Sequence, residues 1–197
     1  MAYLKRIKAA FIFGALGLGA CVSVLPEPVT PDALYRISAA TNGPSLNADI
    51  AIREPEAPRV MAGSALVSED AAGALRLIPG VEWAGPATRQ FQLALVDSFS
   101  GDGAGAAVLP ETGVAAQFEL ASRFAAFGLQ DGKAVCQVTV DIINTRSRKL
   151  VASDNVFVSA SALSGSSSDR ALSMKSVAEQ CVSKVSSFAA ASVESPN

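Results

Sequence analysis

The 197-residue chain contains no histidine. That absence removes the Ser-His-Asp and Cys-His catalytic arrangements and the usual zinc ligand sets. Carboxylate pairs or a Ser-Lys dyad would remain, and neither has a recognisable motif here. Aromatic residues make up only 6 % of the chain, and only one tryptophan, Trp83, is present. No second long apolar run follows the first, so nothing beyond the N-terminus is expected to cross a membrane. Charge of one sign is also lacking. Three of the 16 basic residues (Lys5, Arg6, Lys8) lie in the first 20 positions, leaving 13 basic against 18 acidic residues, a net of −5. That mild, dispersed acidity argues against nucleic acid and against a polybasic grip on anionic lipid. Gly101 to Gly105 is glycine-rich, but it follows a helical pattern and lacks the Lys-Ser/Thr ending of a phosphate loop. Catalysis, a cofactor and a metal are not expected.

What is present begins at the N-terminus. Lys5, Arg6 and Lys8 precede a short apolar stretch, Ala9 to Gly17, and Leu18-Gly19-Ala20-Cys21 closes it. Small residues just before a cysteine, after a basic and an apolar region, have the layout of an export signal and resemble a bacterial lipobox. The apolar part is too short for a span, which needs roughly 20 residues. The resemblance implies cleavage before Cys21, two ester-linked acyl chains on its sulfur and usually a third on its amine. Two chains suffice for stable anchoring. Val22 follows the cysteine where an aspartate commonly retains lipoproteins in the inner membrane, so the periplasmic face of the outer membrane is expected, with the inner membrane as alternative.

The organisation follows: residues 1–20 as signal peptide, 21–31 as lipidated N-terminus and linker held extended by Pro26, Pro28 and Pro31, 32–190 as one domain, and 191–197 as a fraying tail. Within the domain, Leu34 to Ile37, Ala48 to Ile52, Val60 to Val67 and Ala74 to Ile78 read as short strands. Pro86 suits a first helical turn, and Ala87, Phe91, Leu95 and Phe99 continue at spacings of four, with Leu93 and Val96 broadening the stripe, toward a stop at Gly101. Phe118 to Leu129, Ala134 to Asn144 and Leu150 to Leu163 predict three consecutive antiparallel strands, the first two joined by an Asp131-Gly132 turn. Cys136, Val138, Val140 and Ile142 share the apolar face of the middle strand. Ser164 to Asp169 offers helix N-caps. Ala171, Met174, Ala178, Cys181, Val185 and Phe188 then form the stripe of a final helix. The expected fold is α+β: an antiparallel or mixed sheet with two helices packed on one face, in a single domain.

Cys136 and Cys181 remain after the lipidated cysteine. In an oxidising compartment an even pair is a disulfide candidate, and both face the same interior. Two separate buried thiols are the other reading.

The lipobox, the proline-containing linker into Ala33-Leu34-Tyr35-Arg36-Ile37, a strand ending in Val81-Glu82-Trp83-Ala84, the Phe118-Glu119-Leu120 entry to the three-stranded meander, Val156-Phe157 and an alanine-containing last helix together resemble the auxiliary lipoproteins of Mce-type ABC lipid transport systems, the PqiC-like family. The resemblance implies a periplasmic accessory that docks on an Mce-domain protein with its ABC permease and ATPase and aids lipid passage between membranes. Trp83 is then either a core residue or a partner-facing anchor. The basic turn carrying Arg146, Arg148 and Lys149 is either a solvated hairpin tip or a contact for an acidic partner or phospholipid heads. Two other functions compete: a structural or assembly lipoprotein of the outer membrane, serving a barrel or a Tol-type system, and a lipid carrier with its own cavity. The many small residues favour tight packing over a cavity.

Overall fold

Three long strands organise the molecule. In the computed structural model, which describes residues 30–39, 42–162 and 165–193, β6 (Phe118–Gln130), β7 (Lys133–Asn144) and β8 (Lys149–Ser161) form the antiparallel meander that the alternating pattern predicts. Asp131 and Gly132 both have positive φ, 47° and 74°. That is the backbone a two-residue turn needs to match strand twist, and Asp-Gly supplies it at little steric cost. Cys136, Val138, Val140 and Ile142 are all fully buried on one face of β7. The β-branched Val138, Val140 and Ile142 suit a strand packed on a core.

The far side of β6 is shared end to end. At its start β2 (Ile50–Ile52) pairs parallel to it, Ile50 opposite Phe118, and at its end β3 (Ala65–Glu69) does so, Ser68 opposite Leu129. At about 3.3 Å per residue, a thirteen-residue strand is long enough to host both. Gly128 marks the second junction: a Cβ there would lie 2.6 Å from the Val67 carbonyl oxygen, so β3 lies where it does because that position is bare backbone. Outward from β3 come β4 (Leu75–Trp83), antiparallel, and β1 (Ala33–Tyr35), parallel to β4. β5 (Ala107–Val108) extends β2. The result is one mixed sheet of eight strands.

Three helices accompany this sheet, one more than the sequence pattern suggests. The extra one, α1 (Arg59–Ala62), occupies part of the stretch expected to be a single strand from Val60 to Val67. Pro58 presets the φ of its cap at −54°, and the Pro58 carbonyl accepts from the Met61 and Ala62 amides, closing a helical turn before β3 begins. α2 (Ala87–Asp97) buries Ala87, Phe91, Ala94 and Leu95. It stops short of Gly101 because the Ser98 amide bonds back to Leu95 and the Ser98 hydroxyl donates to Ala94. Leu93, expected on the apolar stripe, is 38 % exposed.

α3 (Ser167–Val193) buries Ala171, Met174, Ala178, Cys181 and Val185 as the 3,4 spacing requires, with Phe188 partly covered, and it continues to a buried Val193. Its start is a reciprocal cap: the Ser166 hydroxyl accepts from the Asp169 amide, and Asp169 Oδ2 accepts from both the hydroxyl and the amide of Ser166. The Ser166 hydroxyl, and next its amide, hold the Asp169 carboxyl below the ordinary value of 3.8. A depressed carboxylate stabilises the fold above its unfolded pKa and loses that contribution as pH falls through the folded value. Ser166→Ala is therefore expected to lower the melting temperature by about 2–4 °C at neutral pH. That deficit should shrink once the pH is taken below 3.8, as thermal scans at both pH values would show.

The core centres on four aromatic rings. Phe127 stacks on Phe124 at 4.6 Å, meets Phe91 edge-on at 6.5 Å and Trp83 at 5.9 Å, while Phe91 meets Phe124 edge-on at 5.0 Å. These are geometries that the ring quadrupoles favour. Gln92, although polar, is 1 % exposed. Its amide donates to the Ile52 carbonyl at 2.7 Å and accepts from Arg89 at 2.6 Å, so burial leaves it satisfied.

Candidate functional site

Cys21, the expected lipid-attachment residue, lies outside the described residues. The two other cysteines do not. Cys136 on β7 and Cys181 on α3 lie side by side, with Cα atoms 6.4 Å apart across 45 positions of sequence, within the span a disulfide bridges. Both are fully buried. The inward face of the strand and the inward stripe of the helix bring them together.

Trp83 is not where a docking anchor would be. It ends β4, is 2 % exposed, and packs on Phe127. Its amide is held by the Ser64 carbonyl at 2.7 Å. Of the two readings for this residue, the structure selects the core.

The basic turn is different. Arg146, Arg148 and Lys149 are exposed at the β7–β8 hairpin tip, and none has a carboxylate partner among the described residues. The tip is firmly built. Asn144 Oδ1 accepts from the amide and hydroxyl of Ser147, and the Arg148 amide closes the loop on the Asn144 carbonyl at 2.8 Å. Arg148 takes a left-handed φ of 57° to do so. The Thr145 hydroxyl lies 2.8 Å from the Ala116 carbonyl and 3.0 Å from that of Gln117, pinning the tip to the 113–117 segment. Between tip and segment runs an open groove of about 730 Å³. Its lining includes Ala115, Ala116, Phe118, Lys149, Leu150 and Val151, and it contains no acidic residue.

Reading the sequence located the three cations but missed the apolar residues beside them. Leu150 is 59 % exposed and Val151 47 %. The register of β7 with β8 slips between Ile142 and Ile143, leaving Val151 without an opposite residue, and such a bulge re-aims the side chains around it. A run of bases followed directly by Leu-Val was the available signal, but the alternation assigns those residues to an ordinary strand.

A second groove, about 200 Å³, lies along β6 and β7 between Arg53, Glu54, Arg123 and Asp141. Its charges are mixed and largely self-engaged: Arg53 pairs with Glu119 at 3.4 Å, the Thr88 hydroxyl donates to Glu54, and the Ser153 hydroxyl donates to Asp141 at 2.6 Å. Ser122, whose hydroxyl has no partner among the described residues, shares the strand face of Leu120 and Phe124 and so points to the core. Among the described residues no group of three or more metal-ligating side chains is assembled, and no helix is long and apolar enough to cross a membrane.

Comparison with known proteins bears on what such an architecture serves. The family model for the ABC-type transport auxiliary lipoprotein component matches residues 34–186. A Xanthomonas campestris protein of family DUF330 has the same fold, with a TM-score of 0.70 at 16 % identity over 84 % of this chain and 95 % of that one. A solved structure of an uncharacterized protein superposes with a TM-score of 0.62 at 15 % identity, covering 84 % of this chain and all of that one. No curated protein matches the sequence.

Proposed function

Because the chain belongs to the ABC-type transport auxiliary lipoprotein family, we propose that it is the periplasm-facing accessory of an Mce-type lipid transporter. In this reading it docks on the Mce-domain protein that works with an ABC permease and ATPase, and aids lipid passage between membranes. The observation that carries the reading is the family match, which runs from β1 to Ser186 in α3 and therefore takes in every element of the sheet.

Residues 1–20 act as the export signal, Cys21 receives the acyl chains, 21–31 is the linker, 32–190 the domain and 191–197 its tail. Val22 after the cysteine directs the protein to the outer membrane. The Cys136–Cys181 pair is oxidised in that compartment, and α2 with α3 covers one face of the sheet. The protein works by contact and not by catalysis: the missing histidine and membership of a family of auxiliary transport components support this. Arg146, Arg148 and Lys149, exposed and without a carboxylate partner among the described residues, are the cations available for contact, while Trp83 serves packing.

Crosslinking the tagged lipoprotein in intact envelopes and identifying what copurifies tests the reading. Recovery of an Mce-domain protein with its permease and ATPase supports it. Recovery of an outer-membrane barrel or a Tol-type partner instead replaces it with the assembly function. A second expectation concerns the anchor. Cys21→Ala should accumulate as unlipidated precursor and fail to complement a deletion strain, while its domain keeps the wild-type melting temperature. Full complementation by that variant would remove the anchor from the mechanism.

A further inference from the structure

The hairpin tip unites two properties. Arg146, Arg148 and Lys149 are cations without a carboxylate partner among the described residues, and Leu150 and Val151 beside them are exposed aliphatic side chains. The groove that joins tip and 113–117 segment is lined by no carboxylate. The net charge of −5 describes the whole mature chain and says nothing of this local concentration. We propose that the tip rests on a bilayer surface, with its cations among anionic phospholipid headgroups and its aliphatic side chains in the interfacial layer.

Charge complementarity selects the occupant, and side-chain chemistry separates a bilayer from a protein. Protein hot spots draw on Trp, Tyr and Arg set into well-packed pockets and are poor in Leu and Val. A fluid interface asks only for basic residues flanking aliphatic ones. Each cation near an anionic surface shifts partitioning by about five-fold, so three together amount to on the order of 100-fold.

The reach of the chain is compatible with this placement. β1 starts at Ala33 opposite Val81, toward the end of the sheet that carries the Asp131–Gly132 turn, whereas the tip extends from the opposite end of β7. The separation along the sheet is some nine or ten strand residues, about 30 Å. The eleven residues from Cys21 to Pro31 span up to about 37 Å when extended. The tip can therefore lie on the same membrane that holds the acyl chains. The proposal rests on lipidation of Cys21 but not on the identity of the transporter.

The test uses the full lipidated protein in vesicles whose phosphatidylglycerol is brominated in the acyl chains. Leu150→Trp places an indole at the tip, and Trp83, buried against Phe127, serves as the internal reference. The introduced emission should be quenched at least about two-fold relative to wild type. Quenching should fall to the wild-type level in brominated phosphatidylcholine, and also when Arg146→Gln, Arg148→Gln and Lys149→Gln are added. No quenching beyond wild type overturns the proposal, as does equal quenching in both lipids. Mass spectrometry of Cys21 is read separately: an unacylated chain defeats the anchor and the proposal with it, whereas an acylated chain with an unquenched tip defeats the proposal alone. If the tip instead crosslinks to a protein in intact envelopes and stays unquenched in vesicles, it belongs to protein docking and the bilayer contact is overturned.

Discussion

Removing the Cys136–Cys181 bond should lower the stability of the domain by up to about 4 kcal/mol, the chain-entropy value for a closed loop of this length. The loop spans 45 positions and includes all of β8 and the first half of α3, so the unfolded chain loses much freedom when it is closed. Both sulfurs are fully buried. Reductant should therefore reach them only through opening of the fold, and the native protein should resist reduction that the urea-unfolded protein does not. The Cys136→Ala/Cys181→Ala variant, compared with wild type by urea midpoint under non-reducing conditions, measures the effect. A difference below about 1 kcal/mol, or free thiols at both positions in protein isolated from the periplasm, would show that the bond contributes little. Because domains are typically stable by only about 5–15 kcal/mol, loss of the full value would bring the protein near its unfolding threshold at growth temperature.

A comparable loss is expected at the centre of the aromatic cluster. Phe127→Ala removes the one ring that touches Trp83, Phe91 and Phe124, and it leaves a cavity between β6 and the end of β4. Burial at 3 % exposure means the transfer contribution is lost almost whole. Together with the cavity, the cost should be about 3–5 kcal/mol. Trp83 reports the change directly, since its indole loses its aromatic neighbour. Phe127→Leu should recover more than half of the stability while altering the same fluorescence. A Phe127→Ala variant within 1 kcal/mol of wild type would mean that neighbouring side chains collapse into the space.

The fold was legible wherever side-chain period alone decides the outcome. The alternation in β7 and the Asp131-Gly132 turn located the meander, and the 3,4 stripe from Ala171 to Val185 located the last helix. Those signals are local, and burial of one face is what they encode. The short strands were harder. β5 is two residues long, α1 replaces part of a stretch rich in apolar residues, and β4 runs to Trp83 across Pro79 and Gly80. In each case the conformation is decided by a neighbour: Phe118 and its strand organise β2 and β5, and Pro58 starts α1.

The contact surface was legible only in part. Arg146, Arg148 and Lys149 stand together in the chain, so their cluster could be read directly. Their apolar companions could not, because exposure of Leu150 and Val151 depends on a slip in register. Trp83 teaches the converse. A lone tryptophan reads equally well as anchor or core, and its burial is settled by Phe127, 44 positions away in sequence.

The sequence by itself determined the exclusion of histidine chemistry, the meander and the apolar stripe of α3, and it carries the lipobox-like pattern at Cys21, because each is written in residue type and short-range spacing. Tertiary structure alone decided that β2 and β3 share one side of β6, that Cys136 meets Cys181, that Trp83 is inside and that Leu150 and Val151 are outside. Those outcomes depend on which distant surfaces meet, and the free energy of meeting is not written in any one segment.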